Sequence, residues 1–87
     1  MRQYYAFSVG QVSIGATASQ IVPANPDRSG IIITNLGANT VYIGEANVTT
    51  TTGQAIQANS SIAFSTTLAI YGVAATGSNI CTWLQTQ

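Results

Sequence analysis

"GIIITNLGANTVYIG", residues 30–44, decides how the rest of the chain is read. Ile31, Ile32 and Ile33 are β-branched and apolar in succession, so both faces of an extended segment there are apolar. That pattern predicts a central strand with one face on the core and the other against something else. "NLGANT" (residues 35–40) follows, a Gly/Asn-rich turn suited to positive φ. Val41 and Ile43 then alternate with Tyr42, which predicts a second strand that pairs back onto the isoleucine strand as a hairpin.

The same alternation extends in both directions. Phe7, Val9, Val12 and Ile14 mark a first extended segment stopped by Gly15, and Thr17–Val22 reads as a second. Pro23 and Pro26 bound the loop "PANPDRSG", where neither proline can donate to a ladder. Beyond Gly44 the chain predicts a short strand around Val48, then strands at Ala55–Gln57, Ser60–Ser65 with Ile62 and Phe64 inward, Leu68–Val73 and Asn79–Leu84. No window has the 3.6-residue periodicity of a helix. About eight short strands with turns every 8–12 residues or so predict an all-β chain: one small two-sheet sandwich, jelly-roll-like, with a small β-barrel as second choice. The expected organisation is an N-terminal segment or contact arm over residues 1–8 and a single sandwich domain over residues 9–87.

Composition narrows what such a domain can do. The chain has 87 residues, 46% hydrophobic, with two basic and two acidic side chains, no His and one Cys. A chain of this length buries only about 60–65% of its unfolded surface, so a single core leaves it marginal without disulfides, a metal or association. One cysteine excludes an internal disulfide, and the absence of His with two acids eighteen positions apart argues against a metal site. Association remains. Charged residues are 5% of the chain, against about 25% in an average soluble domain. A neutral β-rich chain has few charges to blunt its edges, and such edges call for neighbours. Two arginines at zero net charge make no basic footprint for nucleic acid. The longest apolar run, Leu68–Ala75, falls far below the roughly 20 residues of a membrane span. "MRQYYAFSVG" has no apolar signal-peptide core, so synthesis in the cytoplasm is expected. Cys81 reads as a small buried hydrophobe.

Catalytic templates find no partners in this sequence. Without His or Lys, a serine or cysteine nucleophile has no general base of the usual kinds. Asp27 reads as turn chemistry in "NPDRSG" and not as half of a carboxylate pair. The expectation is a non-enzyme with no catalytic residues, no cofactor and no metal. The candidates for protein contact are Tyr4 and Tyr5, which point to opposite faces if extended, together with Asp27, Arg28 and Glu45. Arg28 has five fixed donors on a stiff loop, suited either to a neighbouring subunit or to a bridge to Asp27 or Glu45.

"IVPANPDRSGIIITNLGANTVYIG" and "VTTTTGQAIQANSSIAFSTTLAIYGVAATG" together resemble small β-sandwich accessory virion proteins of tailed bacteriophages: capsid decoration (cement) proteins and related head or tail surface modules. "ANPDR", the 30–44 stretch, the "VTTTTG" loop and "LAIYGVAATG" carry the likeness, which spans Thr17 to the C-terminus. The resemblance implies a virion structural protein on the capsid surface, made in the host cytoplasm. It would associate with itself, a trimer being favoured, and stiffen the lattice of the major capsid protein, with no nucleic-acid or membrane partner. The alternative is a carbohydrate- or receptor-binding module of a phage fibre or tail. The Tyr4/Tyr5 segment lies outside the resemblance.

Overall fold

The computed structural model describes residues 7–87 and contains eight strands among them. In chain order they are β1 (Phe7–Ile14), β2 (Ser19–Val22), β3 (Gly30–Asn35), β4 (Val41–Gly44), β5 (Gln54–Ile56), β6 (Ser60–Phe64), β7 (Ile70–Ala74) and β8 (Asn79–Thr86). They form two four-stranded antiparallel sheets. The first has the order β1-β8-β3-β6 and the second β2-β7-β4-β5. Two interleaved Greek keys of this kind make a jelly-roll sandwich, the expected fold class. Phe7 and Ser8 already pair with Thr86 and Gln85, so the sandwich includes both, and the boundary expected at residue 9 moves forward.

Alternation along the strands builds the core. Ile14, Ile31, Ile33 and Cys81 of the first sheet meet Ile21, Val22, Val41, Ile43, Ile56, Ile70 and Ala74 of the second, with Val12, Ile62, Phe64 and Trp83 packed around them. β2 needs a device to contribute two adjacent side chains. Its register with β7 slips between Gln20 and Val22, and this bulge accompanies the burial of both Ile21 and Val22.

Two sequence expectations change. Residues 35–40 are not a hairpin turn, because β3 and β4 lie in different sheets. Val41 and Ile43 face Ile31 and Ile33 across the core, and β4 finds its backbone partners in β5 and β7. Alternation reports which side of a strand is apolar and is silent on which strand lies beside it. The segment around Val48 is a turn-rich loop and not a strand.

Close approach at Gly10 is a requirement of the first sheet. Gly10 pairs with Trp83, and a Cβ placed there would stand 2.5 Å from Cζ2 and 2.7 Å from Cε2 of the indole. The ring is rigid and packed against the core, so one of the two must move. Gly10→Ala is expected to lower stability by about 1–3 kcal/mol in urea unfolding. Combined with Trp83→Leu, it should cost less than the sum of the single changes, and strict additivity would show that the contact is absent.

Candidate functional site

The loop of residues 23–29 brings most of the described charge to one end of the sandwich. Asn25 shapes it: its side-chain oxygen accepts from the Asp27 amide at 3.0 Å and its carbonyl accepts from the Arg28 amide at 3.1 Å. The Asx turn expected of Asp27 therefore belongs to Asn25, and Asp27 is exposed. The turn sends Arg28 inward, where it is only 5% exposed. Its Nε donates to Gln85 Oε1 at 2.8 Å, Nη1 donates to the carbonyls of Thr66 (2.8 Å) and Leu68 (3.0 Å), and Nη2 donates to the Pro23 carbonyl. Gln85 in turn donates to Ser8 Oγ at 2.9 Å. Burial lowers the Arg28 pKa from its ordinary value, yet a guanidinium stays protonated at any ordinary pH.

Of the expected contact residues, Arg28 is thus spent inside its own chain. It is buried and bridges neither Asp27 nor Glu45; it ties two loops and β8 together through oxygen acceptors that burial would otherwise leave without partners. Glu45 is exposed at the same end, directly after Gly44, whose register partner Tyr71 follows the loop that Arg28 holds. Asp27 and Glu45 are the exposed charged side chains among the described residues. Tyr4 and Tyr5 lie outside the described residues.

The four threonines of residues 49–52 fold back on themselves. Thr49 Oγ1 accepts from the amides of Thr51 (3.3 Å) and Thr52 (3.2 Å), and Thr52 Oγ1 accepts from the Thr49 amide at 3.1 Å. This turn carries the buried Val48 against Gly44, and Gly53 against Tyr42 and Val48. Gly44 and Tyr42 alternate with the core residues Val41 and Ile43, so the loop lies on the outer face of the second sheet.

The outer face of the first sheet has no such cover among the described residues. Strand register aligns Val9 with Leu84, Leu84 with Ile32 and Ile32 with Ala63, an apolar row across all four strands. Val9 is 63%, Ile32 44% and Leu84 36% exposed. One row along, Gln11, Thr82, Thr34 and Ser61 are aligned in the same way. Exposed Phe7 stands beyond the apolar row, and exposed Ile80 and Leu36 beyond the polar one. Sequence reading had put Ile32 against "something else" but missed the row. Its signal was a change of parity within β1, where Phe7 and Val9 point outward while Val12 and Ile14 point inward.

A groove of about 290 Å³ opens between the sheets beside β6, lined by Ile43, Ile62, Phe64, Leu68 and Ile70, with Glu45 among its walls. Among the described residues no three His, Cys, Asp or Glu side chains gather at a metal-binding spacing. Cys81 is fully buried, and loss of hydration pushes its thiol up to about 11. No protein-family model matches the chain, and no match was found among curated proteins or solved structures.

Arg28→Ala is expected to cost on the order of 3 kcal/mol in denaturant unfolding, because it strands several buried acceptors. Arg28→Lys should recover only part of that, since one ammonium cannot reproduce the planar fork. Asp27→Asn and Glu45→Gln should stay within about 0.5 kcal/mol of the parent. A folded pKa above the unfolded one leaves the Cys81 contribution intact below the unfolded pKa, near 9.0, and removes it as pH rises toward about 11. Stability should therefore fall across that window by up to about 1.4 kcal/mol per pH unit from this group, and Cys81→Ala should remove that part of the slope in a pH series of unfolding curves.

Proposed function

We propose that this chain is a non-enzymatic virion structural protein of a tailed phage, a capsid decoration protein that associates with itself and stiffens the outer lattice of the major capsid protein. The observation that carries this reading is the uncharged, apolar outer face of the first sheet on a sandwich too small to hold its fold by a large core. A protein that spends its life against neighbours has no need of a charged surface, and many copies on one lattice raise effective concentration so that weak contacts suffice. Cyclic closure, with a trimer favoured, limits growth where an open strand edge would propagate.

The composition of the sites agrees with an assembly role. Arg28 serves the fold, and Asp27 and Glu45, exposed at one end, remain available for polar contacts with a lattice subunit. Carbohydrate recognition, the alternative, draws on paired aromatic platforms. Among the described residues Phe7 is the one aromatic side chain in the exposed class, while Trp83 is half-buried over Gly10.

Light scattering on a sizing column across a dilution series reads the first half of the proposal: a closed oligomer that resists dilution is expected, most tellingly a trimer. Co-sedimentation with phage capsids assembled without accessory proteins reads the second half. Saturable binding and a raised capsid melting temperature are expected. A chain that stays monomeric at all concentrations and leaves capsids unbound would overturn the assignment.

A further inference from the structure

We infer that the outer face of the first sheet is the surface on which one copy of this chain packs against another, with Val9, Ile32 and Leu84 as the buried centre of the contact. The inference rests on the self-association proposed above and assigns it to one face; a contact between two identical faces closes as a two-fold pair, so here the inference replaces the favoured trimer by a dimer. The two sheets treat their outer surfaces differently. The second covers part of its own with the 45–53 loop, where Val48 is 7% exposed over Gly44, whereas the first leaves its apolar row open among the described residues.

The chemistry of the face favours a second copy over a different partner. It holds no charged side chain among the described residues, so two such faces do not repel and offer nothing for a charged partner to complement. Its polar row is built of Gln11, Thr82, Thr34 and Ser61. Hydroxyls and amides both donate and accept, so this row can pair with itself, which a row of carboxylates or ammonium groups cannot do. An apolar row beside a self-pairing polar row is self-complementary, the property that a contact between identical surfaces demands. Area is close to what a weak contact needs. Strands of eight, eight, six and five residues at about 4.8 Å spacing and about 3.4 Å rise make a face of about 440 Å². Two such faces bring about 900 Å² together, just under the roughly 1,000 Å² of a specific stable interface and within the range of a weak one. Sheets packed face to face also interdigitate their side chains at about 10 Å separation, as they do within a sandwich.

The test compares the native mass of the full chain with that of Ile32→Lys, of the double variant Ile32→Thr/Leu84→Thr, and of Thr50→Lys, whose charge sits on the exposed loop over the second sheet. Thr keeps β-propensity, so the double variant remains informative if the lysine variant fails to fold. Circular dichroism checks that each variant is folded. The expected result is association weakened at the face alone: both face variants should show dissociation midpoints about tenfold or more above the parent's, with Thr50→Lys unchanged. Ile32→Cys should form a disulfide-linked dimer under mild oxidation, since Cys81 is buried, and Thr50→Cys should not. If the parent assembles and folded face variants assemble equally well, this inference is overturned while self-association stands. If the parent is a monomer throughout, the self-association reading fails and takes this inference with it.

Discussion

The constraint on which the structure depends is that six of its seven connections cross from one sheet to the other. Each crossing passes over an end of the sandwich, where its backbone groups leave the ladders and must find other partners. Two asparagines serve one end. Asn35 donates to the carbonyls of Asn39 and Ile56 and accepts from the Gly37 amide, while Asn79 donates to those of Ile14 and Thr76 and accepts from the Asn39 amide. Between them they touch all four connections that meet there. At the other end Arg28 and Gln85 do the corresponding work for the loops at 23–29 and 65–69. The aliphatic core lies between these polar closures, and no buried side-chain polar atom among the described residues lacks a partner.

That arrangement also explains the charge distribution. A guanidinium can satisfy several carbonyls that converge from different loops, so the one described basic side chain is committed to the fold. The acids at 27 and 45 stay on the surface because nothing inside requires an anion. What remains outside is hydroxyl, amide and aliphatic. On the second sheet a loop stabilised by its own threonines covers part of that surface; on the first the register of four strands gathers single aliphatic side chains into a continuous row. A charge-poor composition and this row are two views of the same property, an outer surface of aliphatic, hydroxyl and amide groups.

The strands themselves were legible in the sequence because period-2 alternation and Gly/Asn/Pro punctuation are local signals. Ile31-Ile32-Ile33 announced an interior strand apolar on both sides, and β3 is interior, with Ile32 outward. The pairing of β3 was misread as a hairpin because adjacent strands in sequence are usually adjacent in space, and residues 35–40 have turn composition whether the chain folds back or crosses over. Val48 looked like a strand residue because burial, and not strand pairing, is what selects valine there. The role of Arg28 was half legible: a stiff Pro-bounded loop pointed to a fixed guanidinium, but its acceptors are main-chain carbonyls, which every residue possesses and which leave no trace in sequence.

Sequence alone thus determined an all-β domain of about eight strands, poor in charge and small in core. These follow from composition and short-range periodicity. Only the tertiary structure decided which strands are neighbours, which way Arg28 points, which asparagines close the ends, and which outer face is left apolar. Each of those depends on contacts between residues far apart in the chain. Val9 and Leu84 are paired across a sheet whose register is set by core packing at positions where neither side chain is present.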